Sequence, residues 1–226
     1  MQALKGVNFA LDPDVDITGI IGPNGAGKST FLSVIAGEIK PNTGTLTIMG
    51  RKLDRQQSPE LLNRMGIART FQIPRPFTGM SVEDNIVVSG LVRGSLKESR
   101  ERARGLMDKL NLANYARMTP GQLNLAGRKR LELARALMTQ PKLLLLDELF
   151  EGLNEVEVDW MVEILKAQVR ETGFKVIIVE HVMSAVRKLA QKLYVLDHGE
   201  CIAEGGTEEV LSSQRVIEAY LGKQPV

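Results

Sequence analysis

The sequence predicts an α/β fold on a mainly parallel sheet, with an antiparallel β part near the N-terminus and an inserted helical segment. Three observations carry this. Strand-length apolar runs alternate with helical stretches in both terminal portions, the pattern of parallel strands joined by crossovers. Leu143-Leu144-Leu145-Leu146 is a continuous apolar run, which suits a central strand covered on both faces. Residues 17–21, 22–30 and 31–37 read as strand, glycine loop and helix in immediate succession.

Taken in order, residues 4–11 read as a strand and Asp12-Pro13-Asp14 as a turn. Residues 17–21 are apolar and β-branched, a buried strand, and Gly37 lies near the end of the helix that follows the loop. Residues 45–49 and those after Gly50 look like a hairpin, 58–63 like a short helix, and 66–72 like a strand entering a loop with Pro74 and Pro76. From Ser81 to Asn114 the pattern is helical, opening on Ser81-Val82-Glu83-Asp84, a capping box with Asp in fourth place. Its charge run, Lys97 to Arg104, alternates sign and reads as a solvated helix face. Helix is expected over 131–138, strand over 143–147, and an amphipathic helix over 155–171 with Val156, Met161, Ile164 and Leu165 on its apolar side. Strand 176–179, helix 184–191 and strand 193–196 follow, and Asp197-His198-Gly199-Glu200 looks like a hairpin turn. No linker, repeat or low-complexity segment interrupts the chain.

Composition narrows the function classes. The 226 residues suffice for one large domain. A hydrophobic share of 43% with 25% charged residues is that of a water-soluble globule. The net charge of +2 gives no reason to propose nucleic acid as a partner. The single cysteine, Cys201, fits a reducing compartment. No apolar run approaches the ~20 residues that span a bilayer, and the first residues lack the basic-then-apolar form of a signal peptide. The chain is therefore expected to be cytosolic, reaching a membrane only by docking on another protein.

The chemistry begins at Gly22-Pro23-Asn24-Gly25-Ala26-Gly27-Lys28-Ser29-Thr30, which fits G-x-x-x-x-G-K-[ST] in its required strand–loop–helix setting. Glycines let successive N–H groups turn toward phosphate oxygens, and the helix start adds partial positive charge. Lys28 supplies a full charge to the β/γ-phosphates, and the Ser29 hydroxyl can ligate Mg²⁺. A nucleotide–metal site needs a carboxylate at a strand end, and Asp147 sits there. Glu148 follows, with its side chain expected on the other side of the chain, placed to take a proton from an attacking water. Gln72 opens a loop after a strand, where an amide can orient water or complete a Mg²⁺ shell. His181 lies at a strand's C-terminal end, the edge where open α/β sheets bind ligands.

One further stretch, Leu123-Asn124-Leu125-Ala126-Gly127-Arg128-Lys129-Arg130-Leu131-Glu132-Leu133-Ala134-Arg135-Ala136-Leu137, precedes the Asp147 strand. With the phosphate loop, Gln72, Asp147-Glu148 and His181 in that order, the chain resembles the ATP-binding cassette family over nearly its whole length. The resemblance implies one P-loop NTPase domain over 1–226, with a nucleotide-binding core at 1–72 and 140–226 and a helical subdomain at 73–139. It implies an ATPase using ATP and Mg²⁺, with Ser29, Gln72 and Asp147 at the metal and Glu148, His181 and Gln72 in catalysis. It also implies a head-to-tail pair of ATPase subunits, homo- or heterodimeric. There Asn124, Leu125, Ala126, Gly127 and Asn154 reach ATP held by the partner, and Gly152-Leu153-Asn154 forms the crossing loop. Backbone N–H groups near Gly127 and the helix start would help hold phosphate charge.

Finer likeness lies in Arg69 to Phe77, the Leu131–Leu137 helix and the tail Val216 to Gly222. These look like ATPase subunits of branched-chain amino acid importers. That implies integral membrane permease partners, indirectly a solute-binding protein, and a peripheral place on the inner face of the cell membrane. The loop from Gln72 to Met80 would pass motion to the permease, with Phe77 and Met80 as a docking surface. Alternatives are a soluble cassette for iron–sulfur assembly, a lipopolysaccharide-export ATPase, and a regulatory module with little turnover. The chain departs from the family at Asn124, which replaces a serine but still offers an amide donor, and at Glu155, where the subfamily has proline. The family's adenine-stacking aromatic and first strand would align before Met1, which leaves adenine without a candidate.

Overall fold

In a computed structural model of the chain, residues 2–53 and 57–221 are described. The elements in order are β1 (Ile17–Ile21), α1 (Lys28–Ile35), β2 (Leu46–Ile48), β3 (Arg51–Leu53), α2 (Pro59–Met65), β4 (Ile67–Arg69), α3 (Val82–Gly90), α4 (Leu96–Lys109), α5 (Leu125–Met138), β5 (Leu143–Asp147), α6 (Glu155–Thr172), β6 (Lys175–Val179), α7 (Met183–Leu189), β7 (Lys192–Asp197), β8 (Glu200–Gly206), α8 (Thr207–Leu211) and α9 (Gln214–Leu221).

The main sheet has the order β4-β5-β6-β1-β7-β8, and β2 pairs only with β3. All neighbours in the main sheet are parallel except β7 and β8, which the expected turn at His198-Gly199 joins as an antiparallel pair. The four leucines of β5 show why such a strand is apolar throughout. Leu144 and Leu146 face a core shared with α3, α4, α5 and α6, while Leu143 and Leu145 face a second core with α1, α2 and the β2–β3 hairpin. A third cluster joins Ile21, Leu193 and Val195 to Val210 of α8 and Val216 of α9. Truncating a fully buried leucine such as Leu144 to alanine removes about 2–5 kcal/mol in a wall of this kind. None of the helices among the described residues is long and apolar enough to cross a membrane.

Four expectations need correction. Val156, expected on the apolar side of the 155–171 helix, is 79% exposed in the first turn of α6, whereas Met161 and Leu165 are buried. Residues 4–11 form no strand. The segment pairs with neither sheet and is held instead by side chains and isolated hydrogen bonds, such as that from the Lys5 N–H to the Gly199 carbonyl. Leu4, Val7, Phe9 and Leu11 pack on the second core, and the Tyr194 hydroxyl donates to the Ala10 carbonyl. The helical stretch 81–114 is broken into α3 and α4. Ser95 caps α4 with a capping box to Glu98, satisfying donors that a continuous helix would have used internally. Helix α5 starts at Leu125, six residues earlier than expected, because Asn124 is its N-cap. Gly222, the last residue of the tail likeness, lies outside the described residues.

Candidate active site

Three glycines of the phosphate loop, Gly22, Gly25 and Gly27, lie at positive φ, and at two of them a side chain has no room. A Cβ on Gly22, at φ 150°, would sit 2.0 Å from the Leu196 carbonyl oxygen, and one on Gly27, at φ 103°, would sit 2.7 Å from that of Ala3. Gly27 precedes α1, whose start has no side-chain cap. Lys28, 7% exposed, donates to the carbonyls of Gly22 at 2.7 Å and Pro23 at 2.9 Å. Burial pushes its ammonium below the ordinary lysine range, against the opposing pull of Glu148 and Asp147. The turn after β7 braces the loop, since Gly199 donates to the Ala26 carbonyl.

Asp147 ends β5 facing that loop and is 5% exposed. Its two oxygens have different surroundings. Oδ2 pairs with the Arg69 guanidinium at 2.7 Å, and Arg69 also reaches Glu38 and Ser33. Oδ1 is buried with no hydrogen-bond partner. A carboxylate oxygen of this kind, with the Ser29 hydroxyl and the Gln72 amide oxygen, suits a cation that takes few protein oxygens and fills its shell from phosphates and water, as Mg²⁺ does.

Glu148 has a positive φ of 48°. Simple strand alternation would carry its carboxylate away from Asp147, but the left-handed turn ends the strand there. Both carboxylates then act on Lys28. Glu148 Oε2 accepts from Gln72 Nε2 at 2.6 Å, and Glu151 Oε2 accepts from the same amide nitrogen at 3.1 Å. His181 Nδ1 lies 3.8 Å from Glu148 Oε2, near but beyond hydrogen-bond distance. Gln72, Glu148 and His181 are thus brought together from three separate strand ends. Behind them Lys129 donates to the carbonyls of Gln72 and Glu148, each at 2.8 Å. Glu180 Oε1 accepts from the Phe150 N–H at 2.8 Å, and burial pushes its carboxyl up to about 7.

The residues expected to face a partner sit at two other helix starts. Asn124 Oδ1 accepts from the Gly127 N–H at 2.8 Å, so that donor is already engaged and the exposed Asn124 side chain offers its amide nitrogen. Leu125 is exposed, whereas Ala126 and Gly127 are buried. Asn154 caps α6 in a capping box with Glu157.

The ABC transporter family model matches residues 4–151. The chain belongs to the ABC transporter family. A second model, branched-chain amino acid ATP-binding cassette transporter, matches residues 200–225 of this cassette. Among its relatives is the high-affinity branched-chain amino acid transport ATP-binding protein LivG of Salmonella typhimurium, 34% identical over 99% of this chain and 93% of that protein. A probable LivG of Archaeoglobus fulgidus is also 34% identical, over 99% and 91%. A nucleotide-free ATP-binding cassette from an ABC transporter superposes with a TM-score of 0.83 at 30% identity, over 98% of this chain and 93% of that one. A dimeric post-hydrolysis cassette bound to ADP and phosphate gives 0.82 at 27%, over 91% and 90%.

Four polar residues of the cassette escaped a reading by motif: Arg69, Lys129, Glu151 and Glu180. Arg69 and Asp147 are 78 positions apart, and Lys129 and Gln72 are 57 apart, so no local spacing marks them. Lys129 in particular stands between Arg128 and Arg130, a run of three cations that reads as surface charge. The cap at Asn154 stands directly before the expected helix 155–171, whereas that at Asn124 was hidden because the helix was expected only from 131.

Proposed function

We propose that this chain is the ATP-hydrolysing subunit of an importer for branched-chain amino acids or similar small polar solutes. In this reading it works as a head-to-tail pair on the cytoplasmic face of membrane permease subunits, which a solute-binding protein supplies. Residues 1–72 and 140–226 act as the nucleotide-binding core and 73–139 as the helical subdomain. The observation that carries the hydrolytic part is the 2.6 Å contact from Gln72 to Glu148, beside the half-paired Asp147. The transport part rests on the likeness to LivG proteins.

The phosphate loop and Lys28 hold the β- and γ-phosphates. Asp147 Oδ1, Ser29 and Gln72 would hold Mg²⁺, which when bound neutralises charge between those phosphates. Glu148 takes the proton of a water whose oxygen attacks the γ-phosphorus as the β–γ bridge bond breaks. Gln72 orients Glu148 through its amide, and His181 stands on the open side of the same carboxylate. From the partner, Asn124 donates its amide to the γ-phosphate. The loop from Gln72 to Met80 faces the permease. Buried Asn85 fixes its far end through the Phe77, Met80 and Ser81 backbone, while Ile73, Phe77 and Met80 stay exposed.

Glu148→Gln should still bind ATP but lose turnover by about 10²–10⁴-fold, because the base is removed while the metal ligands stay. The variant should accumulate as an ATP-bound dimer on size exclusion. Wild-type hydrolysis should rise with the square of protein concentration when dilute. Near-normal turnover in Glu148→Gln, or a linear dependence, would remove the shared hydrolytic site.

A further inference from the structure

Lys129 is 2% exposed, and lysines are almost never so buried without a partner. Its hydrogen-bond partners are not carboxylates but two main-chain carbonyls, those of Gln72 and Glu148, each at 2.8 Å. The side chains of those same two residues meet at 2.6 Å. Three contacts therefore close a ring: Lys129 to the Gln72 backbone, Gln72 amide to Glu148 carboxylate, and Glu148 backbone to Lys129. The Glu148 carbonyl that Lys129 grips belongs to a residue at φ 48°, a conformation that persists only where its surroundings hold it. Lys129 itself stands in the second turn of α5, the helix that begins at Asn124.

We infer that Lys129 is a positioning residue for hydrolysis, fixing the Glu148 carboxylate against Gln72 and transmitting to that pair the placement of the α5 start. This rests on the hydrolytic reading above and adds a residue to it. The competing account is that Lys129 merely satisfies two buried carbonyls, in which case its loss is felt in stability and not in chemistry. The two accounts separate because a displaced base lowers turnover while leaving the phosphate loop able to bind.

The test uses the full chain with Lys129→Met, which keeps the stem and removes the N–H donors, Lys129→Gln as a second truncation, and Lys129→Arg, which keeps the charge and several donors. For Lys129→Met and Lys129→Gln, kcat should fall about 10- to 10²-fold, the range for a misplaced catalytic group. KM and ATP affinity should stay near wild type, and Lys129→Arg should recover much of the lost kcat. Wild-type kcat in both truncations overturns the inference. So does failure of both to fold, or a loss of kcat that tracks melting temperature without rescue by arginine. Glu148→Gln run in parallel keeps the readings apart. Retained turnover there removes Glu148 as the base, while kcat of Lys129→Met still decides the clamp.

Discussion

Helices α1 and α5 both start where the sequence promised a phosphate contact, and they are built in opposite ways. Helix α1 follows a left-handed glycine, has no side-chain cap and carries a lysine as its first residue. Its first N–H groups are not spent on any side-chain cap. Helix α5 follows Asn124, whose Oδ1 takes the Gly127 N–H for itself. The same holds at α6, where Asn154 takes the N–H of Glu157. A helix start is an anion site only while its donors are unspent. The cassette thus leaves the start of α1 open, whereas at α5 one of the first N–H groups is already engaged, and in the proposed pair the outward amide of Asn124 and the earlier N–H groups are what remain for a partner's nucleotide.

The largest test of this contrast is on the open side. Lys28→Ala removes the full charge at α1 and leaves only dipoles. A unit charge about 4 Å away at a protein surface is worth about 4 kcal/mol, so ATP affinity should fall roughly 10³-fold, read by titration with a fluorescent ATP analogue. Unchanged affinity would mean that the backbone alone binds phosphate and that the contrast between helices is one of geometry only.

Next in size is Glu180, where a third backbone N–H of the site, that of Phe150, is closed by a side chain, and the acceptor is an ionisable one. Burial raises this carboxyl from 4.5 to about 7, partly offset by the Phe150 N–H. The folded state therefore binds the proton more tightly than the unfolded one. The stabilisation this gives is fully present below about pH 4.5 and is lost as pH rises through 7. Glu180→Gln keeps an oxygen acceptor and does not titrate. Urea unfolding should show the variant gaining on wild type by about 2–3 kcal/mol between pH 5 and pH 8. Parallel pH profiles for the two proteins would refute a strained charge at this position.

The smallest effect is at the capped helix. Asn124→Ala should cost about 1 kcal/mol by loss of the cap, a drop of about 2–4 °C in melting temperature for a chain of this size. Asn124→Asp keeps a capping oxygen and should melt like wild type. Equal melting temperatures for all three proteins would mean that the cap contributes nothing and that α5 is as open as α1.

Much of this was legible because it is local. The phosphate loop, the β5 leucines and the His198-Gly199 turn each declare themselves within a few residues, and each folds as read. The segment 4–11 misled because alternation of apolar residues reports a buried face but not whether a strand edge lies beside it. The break between α3 and α4 was present in Ser95 and Glu98, a start signal inside a helical pattern. The Glu148 side chain was expected opposite Asp147 by strand alternation, which does not foresee a left-handed turn at a non-glycine residue. Arg69, Lys129 and Glu180 acquire their roles only through partners tens of positions away.

The place of β1 in the sheet has a consequence for how the protein is made. Its hydrogen-bonded neighbours are β6 and β7, with Thr18 opposite Ile177 and Lys192. Both neighbours are translated long after it. At about 5–20 residues per second, β1 waits roughly ten to thirty seconds on the ribosome before either neighbour exists. Throughout that time five residues that end fully buried have no sheet to join. The nucleotide site is therefore among the last parts of the nascent chain to be completed, and the strand that leads into it is the segment most in need of shelter during synthesis.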